Sequence, residues 1–143
     1  MNKITLRTKY LIIGASHAGL AAADEIRVND DEGPLTMVTM EDILPYSPTV
    51  LPYIISGKVS APQIYLRDAE YFKSQKIDFI KGRAVTKVDP ETQIVMLSDG
   101  SRISYEKLLI ATGAEPTIPR VENLAKVPFL KLRTMADALH HLD

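Results

Sequence analysis

Cysteine is absent from the 143 residues of this sequence. Its absence excludes structural disulfides, thiolate metal sites, a cysteine nucleophile and a redox-active disulfide within this stretch of chain, and it is consistent with a reducing, cytoplasmic location. Histidine is also scarce, and the three histidines, His17, His140 and His141, are too few and too dispersed for a metal cluster. We therefore expect no metal site and no thiol chemistry from these residues.

An excess of charge of either sign is missing, as is any long apolar run. Lysine and arginine number 17, aspartate and glutamate 18, and the net charge is −1, so neither nucleic acid nor an anionic membrane is a favoured partner. No apolar run is long enough to span a bilayer, and residues 1–7 lack the apolar core of a signal peptide. With 45% hydrophobic and 24% charged residues, we expect an ordinary soluble domain.

A short apolar strand, a glycine turn and an Ala-rich helix follow one another over residues 10–23. Gly14 lets the backbone leave the strand where a Cβ atom would clash, and Gly19 lets the helix pack closely on the strand. The helix N-terminus then offers N–H groups and the positive end of its dipole to a phosphate. This arrangement is typical of the phosphate-binding turn of a βαβ unit. Ser16 stands where the second glycine is usual, so a plain tight turn is the alternative.

The rest of the chain alternates strands and helices and then turns to hairpins. Apolar periodicity and turn residues predict a loose leader over residues 1–8, a helix over 17–28 and an amphipathic helix over 66–74. Hairpin signals predict a β-meander from about 84 to 103, with residues 102–105 following the Asp99-Gly100 turn, and Thr134 is the expected N-cap of a last helix. The expected fold is α/β, a Rossmann-like three-layer domain in which the antiparallel meander lies on one face of a parallel sheet. The predicted strands of the parallel sheet are residues 10–13, 35–40, 77–80 and 107–111, and we expect the last of them to be buried.

Glu41 directly follows the second predicted strand. In a dinucleotide-binding fold the acidic residue at that position accepts hydrogen bonds from a ribose diol. Glu41 comes 22 positions after Gly19, close to the ~20 expected for this acid. Asp42 is adjacent, so a slip of one residue and an ordinary loop carboxylate are the alternatives, and we favour Glu41.

Residues 44–57 are apolar and yet contain Pro45, Pro48 and Pro52. Neither a central strand nor a regular helix accommodates this spacing easily, so we expect a helix for part of the segment, beginning after Pro48. A proline-stiffened apolar segment suits a wall against a flat aromatic ligand. Hydrophobic packing under a loop is the alternative.

Together these motifs resemble the FAD-binding half of the pyridine nucleotide-disulphide oxidoreductase superfamily over nearly the whole chain. Gly14-x-Ser16-x-x-Gly19 resembles the turn that binds the FAD pyrophosphate, and Glu41 resembles the ribose acid. Residues 99–116 resemble the family's D-G-x-x-x-x-Y-D-x-L-(L/V)-(I/L)-A-T-G-x-x-P segment, a match too long to arise by chance. The more similar branch contains NADH oxidases, NADH peroxidases, coenzyme A-disulphide reductases and the reductases of rubredoxin, ferredoxin and nitrite.

The likeness to that branch is incomplete at the redox centre. His17 matches the histidine that lies near the flavin beside a redox cysteine, and residues 51–57 are similar to the segment after that cysteine. This alignment places Thr49 where the cysteine would be, which puts thiol-based reduction of peroxides or disulphides in doubt. The resemblance thus implies His17 and Thr49 as catalytic positions, with a polar cap on the turn as the alternative role of His17.

The resemblance also implies FAD as the bound cofactor and NAD(P)H as the co-substrate of a longer enzyme. The implied cofactor-binding residues follow the predicted parallel strands or lie in the proline-rich segment, and they are Gly14, Ser16, His17, Ala18, Gly19, Glu41, Pro48, Thr49, Ala84, Val85, Ala111, Thr112 and Gly113. The implied domains are a leader over 1–9, the first segment of an incomplete FAD-binding domain over 10–131, and a helix over 132–143 that leads to a missing NAD-binding domain. The fragment alone is therefore expected to be inactive.

The implied function is that of an NAD(P)H-dependent flavoprotein oxidoreductase, expected as a homo-oligomer, that passes electrons between a nicotinamide and an unidentified acceptor or redox protein. Residues 47–52 also resemble the flavin subunit of phenylglyoxylate dehydrogenase-type complexes, which would link iron–sulphur partners to NAD. A non-catalytic nucleotide-binding or docking module of an electron-transfer complex is the alternative. A plain NAD-dependent dehydrogenase domain is disfavoured by the A-T-G segment and the meander before it.

Overall fold

The computed structural model describes residues 5–59 and 63–141, and it divides them into two compact units. The first unit combines the chain up to Pro45 with Leu66–Thr112, and the second combines Tyr46–Tyr65 with the chain from Gly113 onward. In chain order the strands and helices are β1 (Leu6–Ile13), α1 (His17–Asn29), β2 (Leu35–Val38), α2 (Leu51–Ile55), α3 (Ala69–Ser74), β3 (Ile77–Ile80), β4 (Val85–Asp89), β5 (Ile94–Leu97), β6 (Arg102–Ile110) and α4 (Met135–His140).

The first unit is built on one six-stranded sheet with the order β3-β2-β1-β6-β5-β4. β3, β2, β1 and β6 are parallel to their neighbours, whereas β4, β5 and β6 form the antiparallel meander. The parallel strands and the meander predicted from the sequence are therefore confirmed, except that β2 ends at Val38 and not at Met40.

Side chains of β1 point alternately to the two faces of the sheet and contribute to a buried cluster on each. Ile12 points to a buried cluster completed by Leu20 of α1 and Phe72 of α3. Leu11 and Ile13 point to the opposite cluster, which the meander completes with Val95, Leu97, Ile103 and Tyr105. Successive strand residues face opposite sides of a sheet, so an apolar run such as this one indicates a strand covered on both faces. The helices thus cover one face of the parallel strands and the meander covers the other, as expected, although β6 joins the meander to the same sheet.

Polar contacts fix α1 against the chain that leads into β3. The Asp24 carboxylate accepts hydrogen bonds from the Tyr71 hydroxyl (2.6 Å) and the Arg67 guanidinium (3.1 Å). Burial, reinforced by the hydrogen bond to Asp24, raises the pKa of Tyr71 to about 12. Near the other end of α1, Arg27 donates to the carbonyl oxygens of Gln75 and Lys76 at 2.6 and 2.9 Å. These contacts hold the axis of α1, and hence the direction of its N-terminus, relative to the sheet.

β1 begins earlier than the sequence indicated. Leu6, Arg7 and Thr8 are paired in parallel with the first residues of β6, so the prediction of a loose leader is wrong for these residues; residues 1–4 lie outside the described residues. The Thr8 hydroxyl, which is buried, donates to the carbonyl of Pro34 at 2.9 Å. Residues 6–8 have no clear apolar pattern, so the sequence did not indicate a strand there; their strand pairing comes from β6, about 100 positions away.

β6 is one continuous strand rather than the two predicted pieces at 102–105 and 107–111. Its first residues pair with β5, and the strand runs beside β1 as far as Ile110. The prediction that its last residues are buried is wrong, because Leu109 and Ile110 are 39% and 60% exposed. β5 pairs with β6 only up to Ser104, so the described part of the chain places no strand along the outer edge of the later half.

The second unit is smaller, and the regular elements in its described residues are short helices and 3-10 turns. Residues Pro48–Val50 form a 3-10 turn that runs into α2, which confirms the helix predicted after Pro48, and α2 packs against α4. Thr134 is the N-cap of α4, as predicted, and forms a reciprocal capping box with Asp137; residues 142–143 of the predicted helix lie outside the described residues. Across the described ranges, we find no helix with the length and apolar character needed to cross a membrane.

Candidate functional site

The four parallel strands end in one row. Ile13 pairs with Val38 on one side and Ile110 on the other, and Val38 pairs with Ile80. The residues that follow these strands, among them Gly14 and Ala111, therefore share the carboxyl edge of the sheet. β1 lies between β2 and β6. From β1 the chain proceeds to β2 and β3 on one side of β1, and it forms β6 on the other side only after β4 and β5. Such a switch point is where open α/β sheets bind ligands.

Gly14 forms the turn that leaves β1. Its φ is +108°, and a Cβ atom there would lie 2.3 Å from the Ala111 carbonyl oxygen. The Gly14 N–H donates to the Val38 carbonyl and the Ala111 N–H donates to the Ile13 carbonyl, both at 2.8 Å. The ends of β1, β2 and β6 thus meet through backbone atoms alone, with no room for a side chain on Gly14. We call the turn at Gly14, where these strand ends meet, the cradle.

The N-terminus of α1 opens onto this cradle. A Cβ atom on Gly19 would lie 2.0 Å from the Gly14 carbonyl oxygen, so only glycine permits this closeness. Ser16 is the N-cap, its side chain makes no capping hydrogen bond, and the first turn carries no acidic residue. His17 and Ala18 are exposed. The helix dipole therefore points its positive end into the cradle without a carboxylate of the first turn to offset it, which suits an anionic ligand.

Glu41 lies where the loops after β2 and β3 are joined. The Glu41 carbonyl accepts the Gly82 N–H at 3.3 Å, and the Thr39 carbonyl accepts the Arg83 N–H at 3.1 Å. Asp42, the alternative ribose acid, is 81% exposed and forms an ion pair with Lys81 at 3.4 Å. Glu41 is half-buried by comparison.

Ala84 and Val85 are held by the meander. The Ala84 carbonyl accepts the Ser98 N–H at 2.8 Å, and Val85 is paired with Leu97. Arg83 forms an ion pair with Asp99 at 2.9 Å. Hydrogen bonds from the Ser101 hydroxyl and N–H, together with Arg83, lower the pKa of the Asp99 carboxyl. The Asp99-Gly100 turn thus fixes the loop after β3, a role that its hairpin signal alone did not indicate.

The other predicted site residues fall partly in the second unit. Thr112 closes the first unit and is exposed, while Gly113, with φ +72°, opens the second stretch of the second unit. Pro48 begins the 3-10 turn, and Thr49 within it is exposed and hydrogen-bonded to the buried Ser47 through their hydroxyl oxygens, 2.7 Å apart. The structure thus places Gly14 to Gly19, Glu41 and Ala111 after the parallel strands and Ala84 at the start of the meander, whereas Pro48, Thr49 and Gly113 belong to the second unit.

Two residues with a role in the second unit were missed in the sequence. Tyr46 and Arg133 bond the start of α4 to other segments: the Met135 N–H donates to the Tyr46 oxygen, and Arg133 Nε donates to the Ala114 carbonyl, both at 2.8 Å. Their partners are 89 and 19 positions away. No periodicity or turn signal marks contacts of that separation.

Comparison with known proteins gives a family match and relatives of much greater length. The family model described as pyridine nucleotide-disulphide oxidoreductase matches residues 8–142. The epsilon subunit of NADH-dependent phenylglyoxylate dehydrogenase from Aromatoleum evansii is 46% identical over 139 residues, which are 97% of this chain and 33% of that protein. The chain therefore spans about a third of this relative.

Solved structures of redox-protein reductases share the fold. The crystal structure of NADH:rubredoxin oxidoreductase from Clostridium acetobutylicum matches with a TM-score of 0.82 at 32% identity. The match covers 94% of this chain and 34% of the chain of that reductase. The covalent putidaredoxin reductase–putidaredoxin complex has a TM-score of 0.78 at 30% identity, over 96% of this chain and 33% of its own.

Proposed function

The chain belongs to the pyridine nucleotide-disulphide oxidoreductase family, and we propose that it forms the first FAD-binding segment of an NAD(H)-dependent flavoprotein oxidoreductase. Homologues in this family bind FAD and use NAD(H). The observation that carries the proposal is the cradle at the end of β1, where Gly14 meets Ala111 backbone to backbone and Gly19 brings α1 onto the turn. A pyrophosphate fits such a cradle because it is anionic and needs backbone donors at close range.

Each part of the proposed site has a separate task in holding FAD. The N–H groups of Ser16, His17 and Ala18 face the pyrophosphate, and Glu41 accepts hydrogen bonds from the adenosine ribose. The backbone of Ala84 and Val85 borders the adenine.

The remaining residues of the proposed site adjoin the reactive end of FAD. Pro48 and Thr49 border the isoalloxazine, and Ala111, Thr112 and Gly113 close the other side of the cofactor. FAD, when bound, supplies the chemistry, taking hydride equivalents from a nicotinamide and releasing electrons singly or in pairs. The residues of this chain bind the cofactor, orient it and exclude water from it.

We further propose that the electrons pass between NAD(H) and an iron–sulphur redox protein, as part of a 2-oxoacid-oxidising complex. The relative with 46% identity is named as a subunit of phenylglyoxylate dehydrogenase, and other relatives are named for reducing rubredoxin or for a complex with putidaredoxin. Thr49 supports this assignment, because a hydroxyl at that position cannot form the thiolate or sulfenic acid that disulphide or peroxide reduction requires.

The absorption spectrum of the whole protein that contains this chain tests the proposal. We expect a yellow protein whose flavin bands bleach when NADH is added without oxygen. Gly14→Ala should yield colourless protein because its Cβ atom would collide with the Ala111 carbonyl.

Gly100→Ala is the matched control for the glycine variant. Gly100 has φ +81°, and a Cβ atom on it would meet open space, so the control carries the same kind of backbone strain without the collision and should stay yellow. A wild-type protein that binds a nucleotide, lacks flavin and does not react with NADH would instead indicate a docking module.

A further inference from the structure

Hydrogen bonds between the loops after β2 and β3 continue the pairing of the two strands past their ends. The Thr39 N–H donates to the Ile80 carbonyl at 2.9 Å, and the Thr39 carbonyl accepts the Arg83 N–H at 3.1 Å. One step further out, the Glu41 carbonyl accepts the Gly82 N–H at 3.3 Å. The backbone of Glu41 is therefore held at two points, through Thr39 two positions before it and through its own carbonyl.

Gly82 permits this joint through its backbone conformation. Its φ is +67°, in the left-handed region that glycine adopts without a steric penalty. A Cβ atom on Gly82 would lie 3.1 Å from the Cβ atom and 3.4 Å from the Cγ atom of Asp42. Asp42 directly follows Glu41, so a side chain at position 82 would press on the backbone that carries Glu41. Both the positive φ and the close approach to Asp42 thus favour glycine at this position.

A fixed backbone matters at Glu41 because hydrogen bonds depend on direction. With the Thr39 and Glu41 carbonyls both engaged, the Cα–Cβ bond of Glu41 keeps one direction relative to β2 and β3. A carboxylate that accepts hydrogen bonds from the hydroxyl groups of a ribose must meet them at about 2.5–2.7 Å and near-linear angles. A displacement of this loop would therefore weaken those bonds even though the carboxylate itself is unchanged.

We propose that Gly82 is a positioning residue that holds the Glu41 carboxylate where it accepts the ribose hydroxyl groups of FAD. The inference rests on the proposed function, in which Glu41 binds that ribose. Gly82 acts through the backbone of residues 41 and 42. Ala84 and Val85, which lie just beyond Gly82, border the adenine in the same proposal, so the experiment has to separate an effect on Glu41 from an effect on the adenine contact.

Gly82→Ala in the whole protein that contains this chain tests the inference. The alanine either crowds Asp42 or gives up the positive φ, and both outcomes loosen the bond to the Glu41 carbonyl. We expect the apoprotein of this variant to bind FAD roughly fivefold to tenfold more weakly in a fluorescence titration. Gly57→Ala is the matched control, because Gly57 has φ +70° and a Cβ atom on it would meet nothing within 4 Å. The control carries the same backbone strain and should bind FAD as the wild type does.

A double-mutant cycle with Glu41→Ala separates the two routes. Where Gly82 acts through Glu41, the double variant Gly82→Ala/Glu41→Ala should bind FAD as weakly as Glu41→Ala alone, because the positioned carboxylate is already gone. Where Gly82 acts through the adenine contact or through general stability, its effect should persist in full in the Glu41→Ala background. Gly82→Asn serves in the same cycle should Gly82→Ala fail to fold, since asparagine adopts a positive φ more readily than alanine.

The outcomes separate this inference from the proposed function. Wild-type FAD affinity in the Gly82 variants overturns the positioning role, as does a loss that is undiminished in the Glu41→Ala background or an equal loss in Gly57→Ala. A yellow wild-type protein whose Glu41→Ala variant binds FAD as tightly as the wild type overturns the ribose assignment and this inference, while the flavoprotein function stands. A colourless wild-type protein overturns the proposed function itself.

Discussion

The carbonyl oxygen of Gly14 lies 2.0 Å from the place that a Cβ atom on Gly19 would occupy. The first turn of α1 and the glycine turn after β1 therefore touch through backbone atoms. A Cβ atom on Gly14 itself would lie 2.3 Å from the carbonyl oxygen of Ala111, the residue after β6. The two glycines thus let the turn after β1 approach both the first turn of α1 and the residue after β6 through backbone atoms.

The first prediction concerns Gly19→Ala. At an unobstructed helical position this change stabilises a protein by up to about 1 kcal/mol, but here the added methyl group should destabilise it by about 1–3 kcal/mol through overpacking. Urea denaturation of the variant and the wild type measures the difference. Ala21→Gly, at an exposed position of α1, is the control and should cost about 1 kcal/mol. A Gly19→Ala protein more stable than the wild type would contradict the contact.

The second prediction concerns Glu41→Ala in the whole protein. Loss of a charge-assisted hydrogen bond to the ribose should weaken FAD binding by about 1–3 kcal/mol. Fluorescence titration of the apoprotein with FAD measures the change. Asp42→Ala is the control, because Asp42 is exposed and paired with Lys81, and it should bind FAD as the wild type does. If Asp42→Ala carries the loss instead, the ribose acid is one residue further along.

The third prediction concerns Thr49→Cys. If Thr49 faces the isoalloxazine, the thiolate of the variant should give a long-wavelength charge-transfer band when the flavoprotein is partly reduced. In the wild type, which has no thiol at this position, treatment with iodoacetamide should leave the activity that depends on Thr49 unchanged. Ser47→Cys is the control, since Ser47 is buried two positions earlier, and it should give no such band. An ordinary flavin spectrum from Thr49→Cys would refute the alignment of Thr49 with a redox cysteine.

The fourth prediction is a pH dependence of stability at Asp30. The Lys9 ammonium at 2.7 Å, the Gly33 N–H and the Tyr10 hydroxyl hold the pKa of the Asp30 carboxyl well below its usual range. A group whose pKa is lowered by folding contributes its full stability above its unfolded pKa of about 4, and this contribution is lost as the pH falls through the lower folded value.

Asp30→Asn should therefore lower the free energy of unfolding at pH 7 and flatten its decline below pH ~4. Chemical denaturation at several pH values measures both effects. Asp31→Asn, at the exposed neighbour, is the control and should retain the wild-type pH profile. An Asp30→Asn protein with the same acid dependence as the wild type would rule out this linkage.

The fifth prediction concerns the 143-residue chain by itself. Ile110 is 60% exposed at the end of β6, beside an edge that has no strand partner in the described part of the chain. Open strand edges and exposed apolar side chains favour association, so we expect a flavin-free dimer by size exclusion with light scattering. Ile110→Lys should shift it toward monomer, whereas Val28→Lys, at a 79% exposed position on α1, should not. A yellow monomer with tightly held FAD would contradict this expectation.

Much of the candidate site could be read from the sequence because its determinants are local. The start of α1 at His17, the span of β3 and the N-cap Thr134 agree with the sequence-based expectations. The need for glycine at position 14 follows from the sharp turn between an apolar strand and a helix, a steric requirement imposed within a few residues. Apolar periodicity and caps act over one or two turns of chain, so a single sequence contains them in full.

The sequence by itself determined the order of the elements and the glycine turn, because short-range sterics and hydrophobic pattern specify both. Only the tertiary structure decided that Leu6 already belongs to β1, that β6 runs unbroken from Arg102 to Ile110, and that the Met135 N–H reaches Tyr46 across 89 positions. These features depend on which distant segments pair, and pairing is fixed by the hydrogen bonds and packing of partners that local pattern does not identify.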